Sequence, residues 1–266
     1  MATPDPLASP PDRRRGALVT GLGRRRGIAA AVCRQLIRDG WEVVACGCPA
    51  YDHEAEPTDP PGENLDALVE ELAATGRFLW RPIDLEAPSA AAQLFDTAEL
   101  AMARIDALVA VHARSLPGGL LEVTQEEFDK HLAVNARATL FLISEFARRW
   151  RGHDGSGRIV TFVSGPPLRG EIAYAASKGA VEWLTLSAAA ELAPRGISVN
   201  AVDPGPTDTG WMSEVIARDI VAASPLGRIG TADDAAELVA FLCSERGGWI
   251  TGQVIRSDGG WSNLRR

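Results

Sequence analysis

Residues 16–29, GALVTGLGRRRGIA, decide the fold of this chain. The apolar run Gly16–Thr20 predicts a short buried β-strand, and the helical periodicity of Ile28–Arg38 predicts the helix that follows it. The turn between them contains three glycines: Gly21, Gly23 and Gly27. Glycine permits a tight turn and a close backbone approach, and the N–H groups that begin a helix bind phosphate. The stretch therefore predicts a strand–turn–helix unit that holds the pyrophosphate of a dinucleotide; a glycine-rich turn without a ligand is the alternative.

Strand-like and helix-like segments alternate along the rest of the chain. Short apolar runs predict six more strands: Trp41–Gly47, Arg77–Ile83, Asp106–His112, Gly157–Ser164, Ile197–Asp203 and one around Gln253–Arg256. Longer periodic segments predict five more helices: Glu63–Thr75, Pro88–Arg104, Thr124–Arg151, Ala173–Ala193 and Ala232–Cys243. The proline-rich, acidic stretch Pro49–Gly62 is predicted to be an exposed loop.

This alternation implies repeated β-α-β units, which form a parallel sheet covered by helices on both faces. Neither a solenoid-type repeat nor a linker long enough to divide domains interrupts the pattern. We therefore predict a single doubly wound, Rossmann-type α/β domain with a parallel seven-stranded sheet over residues 16–266, preceded by a disordered tail over residues 1–15. In such sheets the ligand binds at the carboxyl ends of the strands.

Composition and charge narrow the classes of function. Lys and Arg total 27 and Asp and Glu total 35, which gives a net charge of −8 and disfavours nucleic acid as a partner. Apolar runs stay below the ~18 residues that a bilayer requires, and the first fifteen residues lack the apolar core of a signal peptide. The four cysteines match neither a disulfide framework nor the spacing of metal ligands. We therefore expect a cytoplasmic globular protein that binds neither a membrane nor a metal.

The most specific chemical motif is Tyr174-Ala-Ala-Ser-Lys178. A spacing of four residues places the phenol and the ammonium on one face of a helix. The chain contains only two tyrosines and two lysines, so a chance pair at this spacing is rare. An adjacent ammonium lowers the pKa of a phenol from ~10 toward neutral pH, and Tyr174 would then exchange a proton with a substrate hydroxyl or carbonyl. An ordinary surface pair or a core-facing tyrosine is the alternative.

Together, the motifs resemble those of the short-chain dehydrogenase/reductase family. Between Gly16 and Gly260 the matching pieces occur in the family's order: Thr20-Gly21…Gly27-Ile28, Asp84-Leu85, Asn135, Ser164, Tyr174-x-x-x-Lys178, Pro204-Gly205…Thr209, and Thr251-Gly252-Gln253…Asp258-Gly259-Gly260. Within the family, the chain is most similar to ketoreductases of the 3-oxoacyl-carrier-protein reductase kind. The resemblance implies hydride transfer between a nicotinamide dinucleotide and the carbonyl or secondary alcohol of a small molecule.

The resemblance also implies roles for single residues. Tyr174 would be the general acid/base, Lys178 would hold the nicotinamide ribose, Ser164 would bind the substrate oxygen, and Asn135 would order a water in the proton relay. The implied cofactor contacts are Gly21, Gly23, Gly27, Ile28, Asp84, Leu85, Ala110 (through its backbone), Pro204, Gly205, Thr207 and Thr209, together with Lys178. Purely structural roles are the alternatives: Asn135 pairing backbone, Ser164 ending a strand and Asp84 capping a helix.

Charge near the glycine turn favours NADP(H) over NAD(H). An acidic residue at the end of the second strand would bind the ribose 2′-hydroxyl and repel a 2′-phosphate, but Gly47-Cys48 stands there. The turn itself contains three successive arginines, of which we assign Arg24 and Arg25 to the cofactor. Solvated charge on an exposed turn is the alternative.

Three features depart from the family pattern. The glycine loop is longer than usual and resembles that of the divergent enoyl-reductase branch, but that branch places its lysine where this chain has Val181, so enoyl reduction is less favoured. The family's Asn-Asn-Ala-Gly is replaced by Ala110-Val111-His112-Ala113, and we interpret His112 as a packed rather than a catalytic residue. The segment between Ser164 and Tyr174 is shortened, which predicts altered specificity.

Two other functions remain open beside the reductase. One is a non-catalytic nucleotide-binding regulator or partner subunit with the same fold, and the other is an epimerase or dehydratase that retains its cofactor. The small-residue-rich segments Thr124–Arg151 and Ala173–Ala193 are apolar on more than one face, which predicts a homodimer or homotetramer.

Overall fold

The computed structural model describes residues 14–54, 65–152, 156–165, 169–210, 212 and 214–265. The tail predicted over residues 1–15 lies outside these ranges except for its last two residues. The carbonyl of Arg15 accepts a hydrogen bond from the backbone N–H of Glu42, and the Arg15 guanidinium lies 4.2 Å from the centroid of the Trp41 ring. Arg15 is therefore already bound to the domain.

A parallel seven-stranded sheet forms the centre of the domain. In chain order the strands are β1 (Gly16–Thr20), β2 (Glu42–Gly47), β3 (Phe78–Pro82), β4 (Ala107–Ala110), β5 (Gly157–Phe162), β6 (Ile197–Asp203), β7 (Thr207–Asp208), β8 (Gly230–Thr231) and β9 (Val254–Arg256). The order across the sheet is β3-β2-β1-β4-β5-β6-β9, and the short strands β7 and β8 pair with each other. The predicted doubly wound parallel sheet of seven strands is confirmed.

Helices cover both faces of this sheet. They are α1 (Ile28–Arg38), α2 (Pro49–Glu54), α3 (Leu65–Ala73), α4 (Ala90–Ala101), α5 (Gln125–His131), α6 (Ala138–Arg149), α7 (Ile172–Leu192), α8 (Glu214–Ala223) and α9 (Ala232–Cys243). Within the described part of the chain, none of them combines the length and the hydropathy that crossing a bilayer requires.

Successive side chains of the central strands point to opposite faces of the sheet and pack into two separate hydrophobic cores. On β1, the side chain of Val19 packs with α1, α3 and α9, whereas that of Leu18 packs with α4, α6 and α7 on the opposite face. Since both faces of β1 are covered, its sequence is continuously apolar instead of alternating. The strand begins at a buried anchor, because the Asp106 carboxylate accepts the N–H of Gly16 at 3.1 Å.

The loop predicted over Pro49–Gly62 is wrong for its first six residues, which form α2. Residues 55–62 lie outside the described ranges. Proline is accommodated at the start of a helix because the first helical N–H has no partner there. A contact with a distant segment holds this helix in place, because the Tyr51 hydroxyl accepts the backbone N–H of Ser115 at 2.9 Å. Composition alone could not predict this contact.

The helix predicted over Thr124–Arg151 is divided into three pieces. A π-helix over Leu132–Arg137 separates α5 from α6, and such wide turns are frequent at functional sites. Thr124 is the N-cap residue of α5, since its Oγ1 accepts the N–H of Glu127 at 3.1 Å. The Glu127 carboxylate, however, does not return to the N-cap but binds Arg114 with an N–O distance of 2.7 Å.

The carboxyl edge of the sheet positions the functional residues. The chain order reverses between β1 and β4, so the connections on either side of these strands leave in opposite directions and a crevice opens between them. The segments that follow β1, β4, β5 and β6 meet at this edge.

Candidate active site

A cleft of about 570 Å³ opens at the carboxyl edge of the sheet. Its walls come from the turn after β1, the ends of the neighbouring strands and the first turns of α7. Predicted site residues account for much of the lining: Gly21, Gly23, Arg24, Gly27, Ile28, Asp84, Leu85, Tyr174, Lys178, Pro204 and Thr209. The fold thus collects predicted site residues from four separate segments into one cleft.

The glycine turn lies directly against the segment after β4. Gly21 has a φ of +83°, and a Cβ at this position would come within 2.6 Å of the His112 backbone. Gly27 is the N-cap residue of α1 and contributes no side-chain hydrogen bond to the first turn. The start of α1 therefore presents backbone N–H groups to the cleft, an arrangement that suits a phosphate.

The three arginines of the turn separate in space. Arg24 is buried in the cleft lining. Arg25 instead forms an ion pair with Glu71 of α3, and Arg26 forms one with Asp208 at 2.7 Å. Of the two arginines predicted to contact the cofactor, Arg24 thus lies in the cleft lining, whereas Arg25 pairs with Glu71 and lies outside that lining.

Tyr174 and Lys178 occupy successive turns at the start of α7 and both face the cleft. The Lys178 Nζ donates a hydrogen bond to the Phe162 carbonyl at 2.9 Å and lies 5.7 Å from the centroid of the Tyr174 ring. Ser164, just beyond β5, forms a side-chain hydrogen bond with Tyr174. A phenol, a hydroxyl and an ammonium therefore converge near the cleft that the glycine turn also lines.

Comparison with known proteins agrees with this geometry. A family model described as enoyl-(acyl carrier protein) reductase matches residues 21–262. The uncharacterized oxidoreductase YjdA of Bacillus subtilis is 38% identical over 250 residues, covering 92% of this chain and 96% of the relative. A short-chain dehydrogenase from Burkholderia cenocepacia in complex with NADP is 34% identical, with a TM-score of 0.80 over 92% of this chain and 97% of that one.

The chain belongs to the short-chain dehydrogenase/reductase family. A blue fluorescent protein from a metagenomic library, solved in complex with NADPH, is also similar: it is 32% identical, with a TM-score of 0.81 over 93% of this chain and 98% of that one. The chain is therefore an oxidoreductase enzyme of this family, and the identification made from its motifs is confirmed.

The protonation of the family's tyrosine differs from the prediction. Burial is the largest cause of a raised Tyr174 pKa, and the negative charges of Glu171 and Asp203 raise it further. Lys178 does not offset this, because its ammonium is held by the Phe162 carbonyl and burial lowers its own pKa to about 8. The prediction that Lys178 brings the Tyr174 pKa toward neutral pH is wrong for this structure, and Tyr174 is a protonated phenol at pH 7.

Asn135 lies in the π-helix and is almost fully buried. Its amide oxygen accepts the N–H of Arg114 at 2.7 Å, and its amide nitrogen donates to the Arg114 carbonyl at 2.9 Å and to Ser177 Oγ at 2.8 Å. Ser177 in turn donates to the Tyr174 carbonyl at 2.7 Å. The Asn135 side chain thus connects the segment after β4 to the helical turn that carries Tyr174.

Three predicted cofactor residues have structural partners of their own. Ala110 is buried within β4 and pairs with β1 and β5. Gly205 has a φ of +60°, and a Cβ there would lie 2.5 Å from that of Asp258. The Thr207 hydroxyl donates to the Pro204 carbonyl at 3.3 Å, which closes the turn after β6. Within this loop, Pro204 and Thr209 line the cleft.

Sequence reasoning missed the wall formed by Tyr51, Arg114 and Ser115. The Tyr51 hydroxyl accepts the Ser115 N–H, and the centroid of the Tyr51 ring lies 5.5 Å from the Arg114 guanidinium carbon. The Arg114 guanidinium in turn donates two hydrogen bonds to the Glu127 carboxylate, with N–O distances of 2.7 and 3.0 Å. The rarity of tyrosine was a usable signal, since the second of two tyrosines lies in the same cleft as the first.

Three of the four cysteines are buried, and the side chains that could bind a metal ion are dispersed among the described residues. Cys46 is buried in β2, and that burial raises its pKa to about 12, so its thiol is unreactive at neutral pH. Among the described residues, histidine, cysteine, aspartate and glutamate side chains do not form a group of three that could hold a metal ion.

Proposed function

We propose that the protein is an NADP(H)-dependent reductase that converts a small-molecule carbonyl to a secondary alcohol. The observation that carries the proposal is the hydrogen bond between the Ser164 hydroxyl and the protonated phenol of Tyr174, which lines the cleft. A carbonyl oxygen that gains negative charge needs both a proton donor and a hydrogen-bond donor, and these two side chains supply them.

Each residue of the site has a separate role in the proposed carbonyl reduction. NADP(H) supplies or accepts the hydride when it is bound. Tyr174 donates its phenolic proton to the substrate oxygen, and Ser164 holds that oxygen through its hydroxyl. Lys178 retains a positive charge below its pKa of about 8 and would hold the nicotinamide ribose of the bound cofactor. In the oxidative direction, Tyr174 must first lose its proton, so raising the pH favours alcohol oxidation.

The residues present fit a phosphorylated dinucleotide. The uncapped start of α1 and the buried Arg24 provide donors for phosphate, and Asp84 and Leu85 line the same cleft, where the resemblance implies that Asp84 contacts adenine. The end of β2 contributes Gly47 and Cys48 to the lining and no carboxylate, so a 2′-phosphate meets no like charge there. This chemistry supports NADP(H) over NAD(H), in line with the two similar structures that contain NADPH and NADP.

A ketoreductase is favoured over an enoyl reductase, although the matching family model has the enoyl-reductase name. Lys178 lies one helical turn after Tyr174 and within 5.7 Å of its ring, as the ketoreductase resemblance requires. Val181, at the position of the lysine in the enoyl-reductase branch, is buried in the core and offers no polar group.

Self-association is part of the proposal. Large apolar side chains lie exposed on the two long helices: Leu140 and Phe141 on α6 and Trp183 on α7. These are the helices for which the sequence predicts an interface, and a homodimer or homotetramer would cover them.

The experiment that tests the function is a fluorescence titration with NADPH and with NADH, followed by a panel of aldehydes and ketones. Tight NADPH binding with NADPH consumption by the wild-type protein, and none by Tyr174→Phe, is the expected result. Cofactor that stays bound without net consumption would indicate an epimerase or dehydratase instead. Failure to bind either dinucleotide would favour a non-catalytic member of the family.

A further inference from the structure

His112 occupies a junction between the two functional halves of the cleft. It follows β4 within the segment where the family's asparagines are replaced, its side chain is 6% exposed, and it forms part of the cleft lining. Its ring reaches Thr20 on one side and Val134 on the other. Thr20 directly precedes the glycine turn, and Val134 directly precedes Asn135 in the π-helix.

The partners of the ring fix its tautomer. The Val134 carbonyl can only accept a hydrogen bond, so the His112 Nε2, at 3.1 Å, is the protonated nitrogen. The Nδ1 is then an acceptor, and the Thr20 hydroxyl donates to it at 2.6 Å. In a doubly protonated ring, Nδ1 would instead donate to the Thr20 hydroxyl, which would then be the acceptor. Burial, and next the charge of Lys178, lower the His112 pKa to about 3, so the ring is neutral over the working pH range.

The backbone strengthens this connection. Gly21, with a left-handed φ of +83°, approaches the His112 backbone so closely that a Cβ would be within 2.6 Å. On the other side, the Asn135 amide clamps both backbone groups of Arg114, two residues after His112. A shift of His112 would therefore move the phosphate turn and the π-helix together.

We propose that His112 is a positioning residue, which as a neutral imidazole holds the phosphate-binding glycine turn in register with the π-helix that carries Asn135. It takes no part in proton transfer, because both ring nitrogens are engaged by Thr20 and Val134. The consequence for NADP(H) rests on the proposed function, whereas the consequence for the two segments concerns the free protein alone.

Four variants test this role. Thr20→Val removes the donor to Nδ1 with little change in shape, Thr20→Ser restores it, and His112→Phe keeps a ring but loses both hydrogen bonds. Thr161→Val is the matched control: Thr161 is fully buried in β5, and its hydroxyl bonds that of Thr185 at 2.7 Å. Amide hydrogen exchange of the free protein is followed over residues 20–27 and 131–139, and NADPH affinity is measured by fluorescence.

Thr20→Val and His112→Phe should exchange faster in both segments, and their Kd for NADPH should rise about tenfold, which corresponds to ~1.4 kcal/mol. Thr20→Ser should match the wild-type protein, and Thr161→Val should bind NADPH normally. Unchanged exchange in either segment of Thr20→Val would overturn the role of His112, as would an equal loss of affinity in Thr161→Val. If the wild-type protein binds no NADPH, the proposed function fails, while the exchange data still decide whether His112 joins the two segments.

Discussion

Replacing Asn135 by alanine would remove three buried hydrogen bonds at once. The lost bonds are those with the Arg114 N–H, the Arg114 carbonyl and Ser177 Oγ, at 2.7, 2.9 and 2.8 Å. A buried hydrogen bond contributes about 1 kcal/mol net, and a backbone group left without a partner costs more. We therefore expect the free energy of unfolding to fall by roughly 3 kcal/mol, which for a chain of this size lowers Tm by roughly 6–12 °C.

Asn200→Ala provides the matched comparison. Asn200 lies in β6 and is as deeply buried as Asn135, but it bonds Ile250 and Gln253, at 2.8 and 3.1 Å, in place of residues of the cleft. Two hydrogen bonds are lost, so the expected destabilisation is about 2 kcal/mol. Both variants are unfolded in denaturant at one protein concentration, and steady-state rates are measured well below the temperature at which either unfolds.

Turnover should distinguish the two variants. Asn135→Ala should lose at least about tenfold in kcat, because the segment after β4 and the turn that carries Tyr174 are no longer joined, whereas Asn200→Ala should keep wild-type kcat. Equal kcat in the two folded variants would refute the reasoning that Asn135 organises the site. A fall in unfolding free energy below about 1 kcal/mol in Asn135→Ala would refute the assignment of its hydrogen bonds.

Three further predictions follow from single contacts. Arg24→Gln should weaken NADPH binding about tenfold or more and leave NADH binding almost unchanged, because a charge-assisted hydrogen bond to phosphate contributes ~1.5–3 kcal/mol. Fluorescence titrations check this, with Arg38→Ala, which removes an exposed arginine from α1, as the control. An equal loss of affinity for both cofactors would place Arg24 at the pyrophosphate. Lys178 has a pKa of about 8 in the folded protein, against an ordinary value of 10.5, so between these pH values the unfolded chain binds a proton that the native protein does not. The free energy of unfolding of the wild-type protein, relative to that of Lys178→Met, should therefore rise from pH 8 to 10.5. A difference between the two denaturation curves that does not change with pH would contradict the burial of the Lys178 charge. Trp183→Glu, which places a charge on the exposed apolar side of α7, should shift the mass in light scattering toward a monomer, and an unchanged oligomer would locate the interface elsewhere.

The sequence predicted the framework of the domain because its determinants are local. The bounds of β1, α1, β6 and α9 agree with the structure residue for residue, since each element is a continuous apolar run or an amphipathic period ended by glycine, proline or a capping residue. The Tyr174–Lys178 pair was equally accessible, because two residues four apart on a helix share a face wherever that helix packs.

Features that depend on contacts between distant segments were not accessible from the sequence. Arg24, Arg25 and Arg26 are consecutive, yet one lines the cleft and the other two are held by carboxylates 46 and 182 residues away. The helix α2 was predicted as a loop because its anchor, the Tyr51–Ser115 hydrogen bond, joins residues 64 positions apart.

The sequence by itself determined the fold class, the order of the strands along the chain and the placement of Tyr174 and Lys178 on one face of a helix. Only the tertiary structure decided the protonation of that pair: the pKa of Tyr174 is set by burial and by Glu171 and Asp203, and the pKa of Lys178 by burial alone. Hydrophobic periodicity is carried by neighbouring residues, whereas desolvation and charge depend on every segment that packs around a group.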